Sequence, residues 1–449
     1  MVAEYIRRSE MRQILPTGGR PTRRPASIRL GLALMLAAGV VSAGTEQEVP
    51  EALAAGPVFF APWFETEVLV DDNIFRRSET QDPVSDVVTT ARAGVVASVP
   101  IRMSNLEIGY EGSSFFYRDT TLAGNESHAG SIVFDLNFSS HNTLHIEETY
   151  TRAVTELQTI DADSDLLVRQ GIPYDYNQWA VEWLRDVRQR PAWRSRVERV
   201  DRRFRTAESL PWLDYDGWHV EYEYVQPVYR RGGIMGKYNA RREDHFEASP
   251  TSPMLQVPDH VPLRREVYDD FQIGYRGAIG RNQPLSVSIG YARLSFRDVQ
   301  GGDEPSDYRG LVGDFRWRLP VGGGSNTNVS LTRRPLSSSF NTYYIINELK
   351  VLFDRRFKET SRYGISLLAS TNRYGDIVTT TATGFQAGAV CNDIIRSDQR
   401  QQILGFWDWF LQSRVALRMT ATHNRRNSNC DLADYRSTAL GMTFKVGWF

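Results

Sequence analysis

The sequence holds only two cysteines, Cys391 and Cys430, too few for a disulfide scaffold and without the paired spacing of a zinc site. No apolar run reaches the roughly 20 residues of a transmembrane helix, and a mean hydropathy of −0.41 excludes a bundle of such helices. Neither sign of charge prevails: 53 Lys and Arg stand against 54 Asp and Glu, a net of −1 over 449 residues. With 41% hydrophobic, 24% charged and 11% aromatic residues, the chain is no disordered tail, collagen or coiled coil. It also lacks a G-x-S-x-G elbow, a His-Glu-x-x-His helix and a phosphate loop. The expectation is a non-enzyme without metal or cofactor. Its densest Arg cluster, Arg194, Arg196, Arg199, Arg202, Arg203 and Arg205, is interleaved with Glu198 and Asp201, which argues against a nucleic-acid partner.

What is present begins with an export signal. Leu30 to Val41 is apolar, follows Arg20, Arg23, Arg24 and Arg29, and leads into Val41-Ser42-Ala43, a small-residue cleavage pattern. Residues 1–43 are read as a signal peptide, 44–57 as a short periplasmic segment and 58–449 as one domain.

Beyond residue 57 the recurring pattern is alternation with period two. Leu106, Ile108 and Tyr110 alternate with Glu107, Gly109 and Glu111; Trp218, Val220, Tyr222 and Tyr224 with His219, Glu221 and Glu223; Val415, Leu417 and Met419 with Arg414, Ala416 and Arg418. Short turns such as Ser139 to Asn142 and Val321 to Gly324 alternate with long polar stretches, Thr155 to Pro173, Phe246 to Pro262 and Tyr374 to Arg396. A soluble sandwich also alternates, but repeated strands of about ten residues, aromatics near strand ends and alternating loop lengths fit a transmembrane antiparallel β-barrel. The segments number about 18, an even count that returns the C-terminus to the periplasm. The fold class is therefore all-β, with localisation in the outer membrane of a Gram-negative bacterium and outer-membrane lipid as the surrounding partner.

The polar face supplies the candidate lumen residues: Glu107, Glu111, Asp135, Glu147, Arg194, Arg196, Arg202, Glu221, Glu223, Glu266, Asp270, Arg316, Arg318, Arg414 and Arg418. Charged rings in a pore tune what passes, although ion pairs that only stiffen the interior would read the same way. His145 beside Glu147 resembles a base and its partner, but on a lumen-facing strand it points away from lipid. Trp179, Trp183, Trp193, Trp212 and Trp218 would stack on sugars if they faced inward; their alternation aims most of them at lipid. Strand counting places Cys391 and Cys430 in neighbouring outer loops, close enough in an oxidising environment to make a disulfide. The chain closes on alternating Leu440, Met442, Phe444, Val446 and Trp448, with Phe449 one residue out of phase. Phe444, Trp448 and Phe449 are read as a signal for the outer-membrane assembly machinery.

Glu65 to Arg76, with its Asp71-Asp72-Asn73-Ile74-Phe75-Arg76 loop, then Val84 to Val88, Ala93-Gly94-Val95, Asn137 to Ser140 and the Asp431 to Phe449 hairpin resemble the outer-membrane β-barrel porin family that includes barrels of exopolysaccharide biosynthesis operons. The resemblance implies an outer-membrane barrel, in some members the exit for a secreted polysaccharide, and a periplasmic export component as partner. It carries over no substrate residues. Asp71, Asp72 and Asn73 offer oxygen ligands, but such a triplet is a common turn. Two readings stay open beside export: a general or solute-specific porin, and a non-conducting adhesive barrel. A monomer is expected.

Overall fold

The computed structural model describes residues 53–55, 58–78, 82–119, 125–154, 173–185, 192–205, 210–229, 231–248, 264–279, 283–297, 307–322, 324–337, 343–375, 395–430 and 433–447. The expected signal peptide and all of the 44–57 segment except 53–55 lie outside them. So do Cys391, Trp448 and Phe449, and nothing is described of the Trp212 side chain.

Among the described residues there is no α-helix. A three-residue strand β1 (Leu53–Ala55) folds back on the start of the next strand, pairing Leu53 with Phe60 and Ala55 with Val58. Eighteen longer strands follow. They are β2 (Val58–Asp71), β3 (Asp86–Ile101), β4 (Ser104–Tyr117), β5 (Asn125–Ser139), β6 (Asn142–Val154) and β7 (Pro173–Arg185). Next come β8 (Ala192–Phe204), β9 (Leu210–Tyr229), β10 (Gly232–Ala248), β11 (Arg264–Ile279), β12 (Gln283–Arg297) and β13 (Tyr308–Pro320). The last are β14 (Ser325–Ser337), β15 (Tyr343–Phe357), β16 (Ser361–Tyr374), β17 (Ser397–Gln412), β18 (Val415–Ser428) and β19 (Tyr435–Gly447).

Each of these strands pairs antiparallel with the next, and β19 returns to β2 with partners running from Ala439↔Asp71 to Gly447↔Trp63. Closure is what a membrane demands, since an open edge would leave unpaired N–H and C=O groups in hydrocarbon at several kcal/mol each. Two-residue turns at Arg102–Met103, Ser140–His141 and Ser413–Arg414 mark one end, the periplasmic end in barrels of this kind. Arg102 adopts φ 55°, and Gly322 and Gly324 take φ +55° and +80° in the turn between β13 and β14, where glycine carries no Cβ penalty. Longer connections gather at the opposite, outer end.

Burial follows the alternation. Ile289, Leu311 and Leu440 are 58–60% exposed, while Ser288, Val312 and Ala439 beside them are at most 6% exposed. A continuous apolar outer face of this kind needs lipid around it. Trp179, Trp183, Trp193 and Trp218 share that outer face, with Trp179 edge-on to Trp218 at 5.3 Å and Trp193 edge-on to Tyr224 at 5.4 Å. Phe444 also points outward, opposite Thr66. The chain is thus an outer-membrane-type β-barrel.

The seam between β19 and β2 is stitched at the outer rim by the first loop. Asp71 is fully buried and accepts hydrogen bonds from Ser437 Oγ at 2.9 Å, Arg76 Nη1 at 2.8 Å and the Asn73 backbone N–H at 2.9 Å. Asn73 donates in turn to the Arg436 carbonyl at 2.9 Å, and Asp72 accepts from the Thr438 N–H at 2.6 Å. The Asp71-Asp72-Asn73 triplet therefore spends its oxygens on closing the ring.

Cys430 is buried and disulfide-bonded, in the outer connection after β18. With Cys391 as the expected partner, Cys391→Ser is expected to free a thiol at Cys430. That thiol should label with maleimide after unfolding without reductant, and the variant should lose about 2–4 kcal/mol of stability in urea titration.

Candidate functional site

Because side chains alternate across a strand, register decides which charges share the inside of the ring. Glu107 and Glu111 on β4, Asp135 on β5, Glu147 on β6, Arg194, Arg196 and Arg202 on β8, and Glu221 and Glu223 on β9 lie on the inward face. Glu266 and Asp270 on β11, Arg316 and Arg318 on β13, and Arg418 on β18 lie there too. Arg414 does not. A register shift at Phe410/Gln412 precedes it, β18 starts one residue later, and Arg414 sits in the two-residue turn, its carbonyl accepting from Gly447 N–H at 3.0 Å.

From β5 to β11 the inward charges form a continuous network. His145 lies 2.6 Å from Asp135 and 3.6 Å from Glu147. Glu147 is 3.9 Å from Arg196, which also stands 3.6 Å from Glu182 and 2.7 Å from Glu198. Arg194 donates from Nε and Nη2 to Glu182 at 3.1 and 2.9 Å, and from Nη1 to Glu221 at 2.9 Å. Glu182, fully buried, thus sits beneath two guanidinium groups. His219 bridges Glu198 at 3.3 Å and Glu243 at 2.9 Å; Arg241 lies 3.6 Å from Glu243 and 4.0 Å from Glu266. Arg264 closes on Glu266, and Arg276 on Glu223. Asp270 accepts from Tyr268 Oη at 2.6 Å and Asn239 at 2.8 Å. Arg241 also reaches Ser337, at the outer end of β14, at 3.1 Å, a bond that crosses the ring from β10. Arg202 lays its guanidinium over the Tyr215 ring at 4.6 Å.

Glu243, His245 and Glu266 offer ligand atoms within 4.8 Å of one another and are buried. Arg241 and Arg264 press on the same two carboxylates, so guanidinium groups already meet their demand for positive charge.

The walls differ in sign. On β2 to β7 the inward acids are Glu65, Glu67, Asp71, Asp86, Glu107, Glu111, Asp135, Glu147 and Glu182, and among the described residues Arg92 is the one inward Lys or Arg on these strands; from neighbouring elements Arg76 pairs with Asp71, Lys445 with Glu65, and Arg194 and Arg196 with Glu182. On β13 to β19 bases prevail: Arg316, Arg318, Arg334, Lys350, Arg356, Arg362, Arg400, Arg418, Arg426 and Lys445 against Asp314, Glu348, Asp354, Asp398 and Asp408. Some are paired, Arg316 with Asp314 at 2.9 Å and Arg362 with Asp354 at 3.1 Å, yet the basic excess survives the pairing. β4 and β5 stand half a turn round the ring from β13 and β14, so Glu107, Glu111 and Asp135 face Arg316, Arg318 and Arg334. The outer ends of β12 to β16 are different again: Leu294, Phe296, Tyr308 and Val312, and Tyr344, Ile346 and Tyr374, form inward apolar clusters. Against β12 to β17 lies a cavity of about 1020 Å³ whose lining includes the rung Ser288, Asp314, Thr332, Glu348, Ser370 and Arg400, consecutive partners across six strands.

The sequence reading missed Glu182, Glu198, His219, Lys237, Arg241, Glu243, His245 and Arg264 as wall residues. For His219 the signal was present, since it alternates with Trp218 and Val220 in the same segment as Glu221 and Glu223.

No protein-family model matches the chain, and no curated protein matches its sequence. Similar solved structures include the outer membrane protein opdK from Pseudomonas aeruginosa, 11% identical, covering 87% of this chain and 99% of that one with a TM-score of 0.44. The alcaligin outer membrane receptor FauA from Bordetella pertussis is 10% identical, covering 86% of this chain and 75% of that one with a TM-score of 0.46. The siderophore receptor PirA from Pseudomonas aeruginosa is also 10% identical, covering 86% and 80% with a TM-score of 0.43. At this level the likenesses assign neither a family nor a cargo.

Proposed function

We propose that the barrel is a water-filled channel for small polar solutes, a solute-selective porin in which oppositely charged walls orient dipolar and zwitterionic molecules as they pass. The observation that carries this reading is the separation of sign round the inward face, acids on β2 to β7 and an excess of bases on β13 to β19. A wall built only for rigidity needs acids and bases mixed at short range, as they are on β8 to β11. Separating them across a lumen costs pairing energy and creates a transverse field that acts on whatever occupies the pore.

Polysaccharide export rests on the sequence resemblance alone, and no feature of the barrel favours it over solute passage. A monomer inserted by the assembly machinery suffices for the channel reading.

Protein folded in detergent, verified by heat-modifiable gel mobility, should insert into planar bilayers and give stepwise ohmic currents. Folded protein that inserts without conducting would overturn the channel reading and leave a barrel that acts through its outer loops.

A further inference from the structure

The outward face above the apolar belt carries a second separation of charge. On β8 to β13 outward arginines have carboxylate partners: Arg199 with Asp216 at 3.8 Å, Arg203 with Asp201 at 3.0 Å, Arg242 with Asp244 at 3.1 Å and Arg293 with Asp307 at 3.4 Å. In the outer half of β14 to β19 the outward positions hold Arg333, Arg373, Arg425 and Arg436, all exposed, and these strands carry no outward Asp or Glu. None of these four pairs with a carboxylate among the described residues.

The remaining outward polar groups at this height are neutral and connected. Arg333 donates to Asn347 at 2.6 Å, and Asn347 to Thr371 Oγ1 at 3.2 Å. Thr371 faces Gln399, Gln399 faces Asn427, and Arg425 donates to Asn427 at 2.8 Å. A band of guanidinium, amide and hydroxyl groups therefore runs unbroken over five strands. Arg425 and Arg436 are direct cross-strand partners, a juxtaposition of like charges that is destabilising unless an anion lies between them. Toward the membrane centre come Leu331 and Leu349 directly below the band and, one outward position further on, past Ala369, Gln401 and Thr438, Leu367, Ile403 and Leu440, each of these five apolar side chains at least 39% exposed.

We propose that this sector binds a phosphorylated glycolipid of the outer leaflet: phosphates on the arginines, sugar hydroxyls on the amides, acyl chains on these apolar side chains. Charge complementarity selects the headgroup. Guanidinium forks match phosphate oxygens bidentately, and basic clusters at a membrane surface hold anionic headgroups. The exposed apolar side chains on the membrane side of the band make the occupant a lipid and not a soluble anion. On β8 to β13 the outward arginines are interspersed with Asp201, Asp216, Asp244 and Asp307, which pair with most of them, so the anion is expected on the β14 to β19 side, where no outward carboxylate competes for the arginines.

The test uses the folded full barrel in mixed micelles doped with phosphorylated lipid A, the same lipid after removal of its phosphates, or inorganic phosphate as competitor. Wild type should retain the phosphorylated lipid through gel filtration about tenfold or more better than the dephosphorylated form. Arg333→Gln, Arg373→Gln, Arg425→Gln and Arg436→Gln together should abolish that preference. If the fourfold variant fails to fold, the Arg425→Gln, Arg436→Gln pair serves, with a smaller loss expected. Equal retention of both lipids by wild type, a preference unchanged in the folded variant, or full displacement by millimolar inorganic phosphate would each overturn the proposal.

Discussion

Changing Arg316, Arg318 and Lys350 to glutamate is expected to shift the channel toward cations by about thirtyfold in the cation-to-anion permeability ratio. The three side chains lie on the inward faces of β13 and β15, where Arg316 is 72% exposed, so the change alters the lumen field without emptying a packed core. Each unit of charge at about 10 Å in water is worth about 0.4 kcal/mol. Three substitutions move six units, and screening at 0.1 M salt cuts the effect by roughly a factor of e, leaving about 1 kcal/mol for each monovalent ion, favourable for a cation and unfavourable for an anion, and so about 2 kcal/mol in their ratio. Reversal potentials under a salt gradient measure this directly. The converse set, Glu107→Lys with Glu111→Lys, should shift selectivity toward anions. An unchanged reversal potential in both would mean that the ion path does not run between these walls.

Glu182→Ala should cost the most stability, about 3 kcal/mol, because it removes the fully buried carboxylate shared by Arg194 and Arg196 and leaves Arg194 with Glu221, and Arg196 with Glu198 and Glu147, as remaining partners. Arg194 and Arg196 are only 28% and 15% exposed, so water compensates poorly. Unfolding in urea, followed by loss of the heat-modifiable gel band, reads the effect. Combining Glu182→Ala with Arg194→Met should recover part of the loss, since the buried pair is exchanged for apolar groups and Glu221 keeps Lys237 at 3.9 Å. A single Glu182→Ala as stable as wild type would show that the β5 to β11 network contributes nothing measurable.

The fold was largely legible because a barrel in lipid writes one rule into every strand. Ile289 against Ser288 and Leu440 against Ala439 are instances of the alternation that gave the strand set, and Ser140–His141 falls within the Ser139 to Asn142 turn read from sequence. The inward face followed from the same rule, which is how Glu221 and Arg194 came to share a wall. Partners were not legible. Glu266 meets Arg241 on the preceding strand and Ser337 on β14, distances along the chain that only closure of the ring brings together. Glu182 escaped notice because its segment announces itself through Trp179 and Trp183, whose outward placement says nothing of the carboxylate between them. The separation of sign was hidden for a related reason: a net charge of −1 averages an acidic wall and a basic one to nothing. Arg414 was misplaced by a bulge, an irregularity that period-two counting passes over.

The central claim is that the lumen conducts and that its opposed walls act on the dipole of the solute. Swelling of liposomes containing the folded wild-type barrel tests it most directly, with a zwitterionic amino acid and a neutral sugar alcohol of matched size in parallel. The account expects faster uptake of the zwitterion at low salt, with the difference shrinking as salt screens the walls. Uptake ordered by size alone, at every salt concentration, would contradict it.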